Sequence, residues 1–432
     1  MKAYIKTYGC TLNQADSRLI ENILTKNRIA LSNNIVNSEA VIVNTCTVKK
    51  ATEQKILNFI ESLEKNYSNK KIIVTGCMAS ANKDLIKKYS SNSIIIPIKN
   101  IEQISEVASN KVNIINKISS ATIVKQNKQD KLDRLIYFAP YKSIIAKIPV
   151  GEGCLSACNF CETRFARGPL NSFSEKLILD AIKKSIEFGA KEIQLTAQDI
   201  GCYGFDKKTN IIELLKKIKD INGDFKLRLG MMNPEYLNKF GDELIEILTG
   251  KKFYRFIHIP IQSGSNRIIK SMGRKYEIER VVEYIKKIRK EIKEVSIETD
   301  IIAGYPDETN SDFQETKDII KIIKPDAINI SKFAIRPHAK KWNKVINAEI
   351  VNERSRELSK IARQCMYESN KKYLNKTIEV LITEKTNISM NGRSNFYKQV
   401  IIKEINKKIL GSYQKVNINF VTSTSLYGIA VN

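Results

Sequence analysis

The sequence predicts an α/β protein in three parts: a doubly wound amino-terminal domain, a central partial (β/α)6 barrel and a small carboxyl-terminal β-barrel. Strand-like and helical segments alternate over residues 1–115, and six further strand–helix units follow over residues 142–372. Residues 373–432 contain strand patterns separated by turn residues, and residues 116–141 form a polar, basic connection. A chain of 432 residues exceeds one ordinary hydrophobic core, so several domains are expected.

Four strands with helices between them define the predicted amino-terminal domain. Helical spacing of apolar residues covers Gln14–Leu24 and Glu53–Glu61. Alternating strands and helices of this kind form a parallel sheet with helices on both faces. The predicted strands are Lys2–Thr7, Ala40–Asn44, Lys71–Thr75 and Ser93–Ile98.

Three cysteines of this domain, Cys10, Cys46 and Cys77, each come directly after a predicted strand. The carboxyl ends of parallel strands share one edge of the sheet, where ligands of open α/β folds bind. We therefore expect this first cysteine triplet to converge and to hold a metal cluster. The alternative is three unrelated buried cysteines, which are common as small apolar side chains.

The second cysteine triplet, Cys154, Cys158 and Cys161, follows the first predicted barrel strand with the spacing C-x3-C-x2-C. Three thiolates can hold three irons of a [4Fe–4S] cube and leave the fourth iron open to another ligand. Structural zinc usually requires a fourth cysteine or histidine nearby, and the whole chain has only two histidines. A zinc site or inert thiols remain the alternatives.

Composition indicates a cytoplasmic protein with a polyanionic partner. Lys and Arg total 72 against 46 Asp and Glu, a net charge of +26, which favours a partner such as nucleic acid. A general lysine-rich bias of the chain would explain the same charge. The apolar runs are too short to span a bilayer, and the first residues lack the apolar core of a signal peptide, so no membrane association is expected. The connection over residues 116–141 either reaches toward RNA or is a solvated linker.

Both triplets resemble those of known enzymes. The segment around Cys154, with Phe160 before the third cysteine, resembles the radical S-adenosylmethionine enzymes, in which this cofactor binds the open iron. The segments Thr7–Ser17, Val43–Val48 and Val74–Cys77 resemble the amino-terminal domain of the methylthiotransferases. In that family the first triplet binds an auxiliary [4Fe–4S] cluster whose open iron carries the sulfur that is transferred.

The central domain resembles the archaeal and eukaryotic branch of the methylthiotransferases, which acts on threonylcarbamoyladenosine in tRNA. The matching segments are Thr163–Gly168, Leu227–Pro234, His258–Ser265 and Asp300–Thr309. Bacterial branches usually have Ser-Arg where this chain has Ser172-Phe173. After Arg336-Pro337 the family commonly reads Gly-Thr-Pro-Ala, whereas this chain has His338-Ala339-Lys340, so the contacts of that loop are expected to differ.

Loops after the six predicted barrel strands should form a rim around the cofactor, because chemistry in such barrels lies at the strand ends. The candidates for contact with S-adenosylmethionine are Gln198, Gln262, Asp300 and Gly304, together with Phe160. Asp300 and Gln262 are also compatible with purely structural roles. Two further cysteines, Cys202 and Cys365, complete no ligand spacing and are interpreted as structural. The predicted barrel strands are Ile145–Val150, Glu192–Thr196, Lys226–Gly230, Arg255–Ile259, Val295–Ile302 and Ala327–Phe333.

The last 60 residues resemble the TRAM domain, an OB-like RNA-binding module. Strand patterns cover Thr377–Thr383, Phe396–Ile402 and Lys415–Val421, with turns predicted at Asn391-Gly392 and Gly411-Ser412. The family position of this module implies contact with tRNA. A structural cap is the alternative, because its basic residues are scattered.

Together the resemblance implies a monomeric enzyme that adds a methylthio group to C2 of N6-threonylcarbamoyladenosine at position 37, beside the tRNA anticodon. It would use two [4Fe–4S] clusters and two molecules of S-adenosylmethionine, one to methylate the sulfur and one to generate a radical. The aromatic C–H has no acidic proton at neutral pH, which is why radical chemistry is needed. The electron donor and the sulfur source are undefined. The alternatives are a methylthiotransferase for another tRNA base or a ribosomal protein residue, and a non-catalytic zinc RNA-binding protein.

Overall fold

The chain forms two α/β units followed by a β-barrel in the computed structural model. The structure describes residues 1–109, 133–338, 340, 342, 345–403, 406 and 409–431. Most of the predicted linker, residues 116–132, therefore lies outside the described part. Its described end is anchored, because Arg134 and Leu135 are each only 2% exposed.

The amino-terminal unit is a five-stranded parallel sheet with the order β2-β1-β3-β4-β5. This is one of the two common doubly wound orders, as predicted, and the strand order reverses between β1 and β3. Every residue of β3 is buried, as expected for a central strand covered by helices on both faces. The strands are β1 (Lys2–Thr7), β2 (Ala30–Leu31), β3 (Ala40–Thr45), β4 (Lys71–Gly76) and β5 (Ile94–Ile95), and the helices are α1 (Thr11–Lys26), α2 (Lys50–Asn66), α3 (Cys77–Ala81), α4 (Lys83–Tyr89) and α5 (Ile104–Ala108).

The central unit is an open barrel of six parallel strands, which confirms the predicted (β/α)6 architecture. Two three-stranded sheets, β10-β9-β6 and β11-β12-β13, are joined by bridges between Leu227 and Phe253 and between Met231 and His258. The strands are β6 (Ile145–Pro149), β9 (Glu192–Thr196), β10 (Lys226–Arg228), β11 (Phe256–His258), β12 (Ser296–Ala303) and β13 (Ala327–Lys332), with a short hairpin of β7 (Gly151–Glu152) and β8 (Asn171–Ser172). The helices are α6 (Thr163–Arg167), α7 (Glu175–Glu187), α8 (Ile211–Lys219), α9 (Leu237–Leu248), α10 (Asn266–Ser271), α11 (Ile278–Glu291), α12 (Asn310–Ile323) and α13 (Ala348–Lys371).

Helix α12 begins with a capping box that is also hydrogen-bonded to residues at the start of α10. Thr309 caps the helix, and its backbone N–H donates to Asp312 Oδ2 at 2.8 Å. Ser265 Oγ and Arg267 Nε donate to Asp312 Oδ1 at 2.7 and 3.2 Å. Burial opposes ionisation of Asp312, but these hydrogen bonds outweigh it and hold its pKa well below the usual range.

Replacing Asp312 with Asn is expected to lower the free energy of unfolding by about 2 kcal/mol, because a cap and charge-assisted bonds are lost. The folded pKa lies below the unfolded one, so the carboxylate stabilises the protein above about pH 4 and less as the pH falls. Urea denaturation should therefore show the wild-type advantage shrinking below about pH 4. Asp318, which is half-exposed on the same helix, is the control, and Asp318→Asn should lower the free energy of unfolding far less than Asp312→Asn does.

The carboxyl-terminal unit is a closed five-stranded barrel with the order β14-β15-β16-β18-β17, which confirms the predicted small β-barrel. The predicted turn at Asn391-Gly392 is wrong, since both residues lie inside β15. A Cβ atom at Gly392 would lie 2.4 Å from the Leu381 carbonyl oxygen, so this glycine permits close approach of two strands. The strands are β14 (Thr377–Lys385), β15 (Met390–Ser394), β16 (Gln399–Ile402), β17 (Tyr413–Val421) and β18 (Leu426–Val431).

This small barrel docks at the amino-terminal ends of the central strands, away from the loops that follow them. The Tyr397 hydroxyl donates to the buried Glu192 Oε1 at 3.1 Å, where β9 begins. Lys398 Nζ pairs with Asp326 Oδ1 at 3.2 Å, just before β13. Both side chains of that pair are 8% exposed, so the ion pair is buried between the two units. The carboxyl ends of the barrel strands therefore remain available on the opposite side.

Within the described ranges, no helix is both long enough and apolar enough to cross a membrane.

Candidate functional site

The first cysteine triplet converges at the carboxyl edge of the amino-terminal sheet, as the sequence predicts. Cys10 precedes α1, Cys46 follows β3 and Cys77 begins α3. The Sγ atoms of Cys10 and Cys77 lie 3.9 and 3.7 Å from the same Asn13 Oδ1. A Cβ atom built on Gly9 would lie 3.0 Å from Cys46 Sγ, and φ of Gly9 is +110°, so glycine is needed for this approach. The triplet lies at the point where the strand order reverses, where doubly wound folds bind ligands.

The environment of the first triplet is buried on one side and open on the other. Cys46 and Cys77 are 4% and 3% exposed, whereas Cys10 is exposed. Burial raises the pKa of Cys46 to about 12, and the nearby Cys77 and Cys10 thiols add to the rise. Burial also raises the pKa of Cys77, although the Arg167 guanidinium opposes this. Without a metal these buried thiols hold their protons, and a metal would displace them.

Arg167 of α6 joins the first triplet to the central barrel. Its guanidinium donates to Cys77 Sγ at 3.3 Å, to Asn13 Oδ1 at 3.0 Å and to Asp16 Oδ2 at 2.5 Å. Arg167 is 1% exposed and Asp16 is fully buried. The sequence places Arg167 only in a family-like segment, because its partners lie 90 to 154 residues earlier in the chain.

A second buried cation extends the same network. Arg134 pairs with Asp16 Oδ1 at 3.5 Å and with Glu152 of the β7–β8 hairpin. Arg134 comes from the described end of the predicted linker. Linker, amino-terminal unit and central barrel are thus held together by four buried charges at this point.

The second cysteine triplet lies in the loop between β7 and α6, and all three thiols are partly exposed. Burial raises the pKa of Cys158 to about 11, while the Arg274 guanidinium opposes the rise. A hydrogen bond from Cys202 lowers the pKa of Cys154 to about 6. The three thiols are close enough for Cys154 and Cys161 to affect ionisation of Cys158, so the structure brings this triplet together as predicted.

Cys202 lies next to this triplet, which the sequence did not indicate. The ligand atoms of Cys154, Asp199 and Cys202 lie within 4.8 Å of one another, and Cys202 Sγ lies 3.1 Å from the Asp199 carbonyl oxygen. Cys202 is fully buried and also packs into the barrel core. Cys365 lies on α13, away from both triplets among the contacts that are described, and its structural role stays a prediction.

Arg274 is a half-buried cation beside the second triplet, which the sequence pattern did not indicate. Its Nη1 donates to Asn233 Oδ1 at 2.9 Å and to the Pro260 carbonyl at 3.2 Å, while its Nε has no hydrogen-bond partner in the described part of the chain. The guanidinium lies 5.8 Å from the centre of the Phe160 ring. Phe160 also packs edge-on against Tyr305, so this side chain holds the triplet loop against the central barrel.

The predicted rim residues occupy different environments. Gln198 has a buried side-chain oxygen without a hydrogen-bond partner among the described residues. Gln262 is 8% exposed and has φ of +62°, a left-handed conformation that is costly without glycine. Asp300 Oδ2 lies 2.8 Å from His258 Nε2, and although burial opposes ionisation, this bond holds the pKa of Asp300 below its usual value. A Cβ at Gly304 would lie 2.5 Å from the Val351 side chain, so Gly304 serves helix packing. Contact of these four with a cofactor stays a prediction.

A cavity of about 680 Å³ opens beside the second triplet, which we call the chamber. The chamber is lined by Ala157, Cys158, Asn159, Cys161, Arg164, Phe165, Gly168, Pro169, His338 and Lys340. Its volume lies within the range of small-molecule sites. The chamber borders the amino-terminal unit, because His338 Nε2 contacts the Ala81 carbonyl oxygen at 2.8 Å and Arg336 pairs with Glu53. His338, where this chain departs from the family loop, thus contacts the amino-terminal unit.

Two family models match the chain. The model of the uncharacterized protein family UPF0004 matches residues 2–97, and that of the radical SAM superfamily matches residues 148–320. A probable threonylcarbamoyladenosine tRNA methylthiotransferase of Pyrococcus horikoshii is 39% identical over 99% of both chains. The human threonylcarbamoyladenosine tRNA methylthiotransferase is 32% identical over 96% of this chain and 72% of its own length. The chain belongs to this methylthiotransferase family.

Solved structures support the fold of this methylthiotransferase family member. A radical S-adenosylmethionine methyltransferase, TsrM of Kitasatospora setae, determined with cobalamin and a [4Fe–4S] cluster, matches with a TM-score of 0.56. The match covers 78% of this chain and 73% of that one at 11% identity. At this identity the likeness concerns the arrangement of the backbone alone.

The donor set of the second triplet fits the iron–sulfur cluster and S-adenosylmethionine of a radical SAM enzyme. All three cysteines are free, and two of them, Cys158 and Cys161, line a chamber of about 680 Å³, while Cys154 lies beside Cys202. Gln198 Oε1 and Arg274 Nε are buried atoms without a hydrogen-bond partner among the described residues, and Arg274 lies close enough to Cys158 and Cys161 to affect their ionisation. Buried polar atoms usually have partners, so these two are available to a bound group.

Proposed function

We propose that this methylthiotransferase adds a methylthio group to C2 of N6-threonylcarbamoyladenosine at position 37 of tRNA, and that each cysteine triplet holds one [4Fe–4S] cluster. The product is 2-methylthio-N6-threonylcarbamoyladenosine. When bound, the two clusters and S-adenosylmethionine supply the radical, the sulfur and the methyl group. The names of relatives at 39% and 32% identity support the substrate.

The observation that carries the proposal is the position of Arg167 between the triplets. Helix α6 begins two residues after Cys161 and ends at Arg167, which donates to Cys77 Sγ at 3.3 Å. Five residues of α-helix span about 8 Å, so one short helix separates the second triplet from the first. Two reactive groups held this close can share one substrate, which a two-cluster mechanism requires.

The residues of the chain have separate tasks in this reaction. Arg167 neutralises charge at Cys77 and fixes the first triplet against the barrel. Arg274 places a fixed positive charge near the Cys158 and Cys161 thiolates. Gln198 offers an unpartnered buried oxygen to a donor group of the cofactor.

Recognition of tRNA follows from charge and from the carboxyl-terminal barrel, predicted as a TRAM module. The net charge of +26 favours a polyanion, and the exposed Phe420 and the half-buried Tyr427 form an aromatic pair with ring centres 5.5 Å apart on that barrel. A cytoplasmic, monomeric enzyme is part of the proposal. It agrees with eight cysteines that are all free of disulfides.

The test is nucleoside mass spectrometry of host tRNA with and without the gene. Deletion should remove 2-methylthio-N6-threonylcarbamoyladenosine and leave its unthiolated precursor to accumulate, and the wild-type chain should restore the product. Persistence of that nucleoside after deletion, with loss of a methylthio group from another base or from a ribosomal protein, would contradict the proposed substrate.

A further inference from the structure

The polar lining of the chamber is unbalanced in charge. Arg164 and Lys340 contribute cationic side chains, and no Asp or Glu is among the residues that line it. Elsewhere in the interface between the two units, cations are matched by carboxylates, as Arg167 is by Asp16 and Arg336 by Glu53. The unmatched charge of the chamber therefore suits an anionic ligand.

Arg164 is the more specific of these two cations. It lies on α6, three residues after Cys161 in sequence, and its side chain is exposed and has no partner in the portion of the chain that the structure describes. A guanidinium presents a planar fork of donors that matches a carboxylate in two parallel hydrogen bonds. The backbone position of Arg164 is fixed, because Arg167, one helical turn later, is bound to the buried Asp16 and Asn13 side chains.

Two aromatic rings stand beside Arg164 in the same chamber. Phe165 and His338 stack with ring centres 5.1 Å apart and an angle of 30° between their planes. Phe165 is 54% exposed, although a large apolar ring is usually covered. Exposed aromatic faces of this kind stack with nucleobases extruded from an RNA strand. A base in the chamber would therefore lie next to the guanidinium of Arg164.

We infer that Arg164 is a specificity-determining residue that binds the carboxylate of the threonylcarbamoyl group on the substrate adenosine. This inference rests on the proposed function, in which the modified base enters the chamber with C2 toward the triplets. The threonyl part carries the anionic group that distinguishes this base from plain adenosine. Arg164, beside the stacked rings of Phe165 and His338, thus lets the protein bind the modified base in preference to plain adenosine.

The experiment compares the affinities of wild-type, Arg164→Met and Arg164→Lys proteins for three anticodon stem-loop RNAs. The RNAs differ only at position 37, which is threonylcarbamoyladenosine, its neutral methyl ester or adenosine. Fluorescence anisotropy with the cluster-loaded protein gives each Kd. Arg363→Met is the matched control, because Arg363 is an exposed arginine on α13 that is absent from the chamber lining.

Wild-type protein is expected to prefer the threonylcarbamoyladenosine RNA over the other two by about 10- to 100-fold, the usual effect of hydrogen bonds to a charged group. Arg164→Met should abolish this preference and leave the affinity for adenosine RNA unchanged. Arg164→Lys should keep part of it, and Arg363→Met should keep all of it. The iron content of each variant, measured alongside, shows that the second triplet is intact.

Three results would overturn the inference. Arg164→Met could weaken binding of all three RNAs equally and lower the salt dependence of log Kd by about one unit, which identifies a phosphate contact. It could leave the preference intact while weakening S-adenosylmethionine binding, which identifies the cofactor carboxylate as the partner. Wild-type protein could also show no preference. The proposed function is judged separately, by formation of the methylthio product in wild-type protein, so the two failures are distinguishable.

Discussion

Cys77→Ala is expected to lower the iron content from about eight to about four atoms per chain and to abolish methylthiolation, while cleavage of S-adenosylmethionine continues. Cys77 is 3% exposed, and its Sγ shares Asn13 with Cys10 and Arg167. A methyl group there leaves two thiolates, too few to hold a cubic cluster. The second triplet belongs to another loop and should keep its iron.

The complementary variant is Cys154→Ala, which should also remove about four irons but abolish deoxyadenosine formation as well as the methylthio product. Cys365→Ala is the control, because Cys365 is a partly exposed cysteine on α13 and should retain all the iron. Iron analysis, visible absorption and product chromatography on anaerobically reconstituted protein measure these quantities. A wild-type content near four irons, with Cys77→Ala fully active, would rule out the auxiliary cluster.

The sequence predicted the fold and the two triplets because both depend on local patterns. Strand β9 was predicted with its observed ends, Glu192–Thr196, since apolar β-forming residues between polar ones mark a buried strand. Convergence of the first triplet followed from parallel topology alone. The confirmed strand order explains why cysteines 31 to 67 residues apart share one edge.

What the sequence could not supply are contacts between distant segments. Arg167 and Arg274 are ordinary arginines by pattern, and their roles appear only when α6 meets α1 and when the loop after α10 folds under the second triplet. Local rules also failed where tertiary packing decided. Asn391-Gly392 has the composition of a hairpin turn but lies in a strand. Serine is a residue type that commonly caps helices, but the Ser174 side chain makes no capping hydrogen bond at the start of α7. The Ser174 N–H instead donates to Asp133.

Arg167→Leu is expected to lower the free energy of unfolding by about 3–5 kcal/mol, because it leaves Asp16 as a buried charge without its closest partner. Asp16 is fully buried, and its remaining ion pair with Arg134 is longer, at 3.5 Å against 2.5 Å. Burial alone would lower the pKa of Arg167, but Asp16 and Cys77 outweigh it and raise that pKa well above its usual value, so the guanidinium is charged throughout the accessible pH range. Urea denaturation of the protein without iron measures the loss independently of the clusters.

A double-mutant cycle with Asp16→Asn separates this pair from general disruption. If the charges act on each other, the double variant should cost less than the sum of the single variants by more than about 1 kcal/mol. Arg280→Leu is the control, since the Arg280–Glu283 pair is exposed at 69% and 63% and should contribute less than about 1 kcal/mol. Arg167→Lys keeps the charge but loses the fork that reaches Asp16, Asn13 and Cys77 together, so it should lie between wild type and Arg167→Leu. A loss for Arg167→Leu no larger than for Arg280→Leu would mean that packing, and not the Arg167–Asp16 ion pair, holds the first triplet against the barrel.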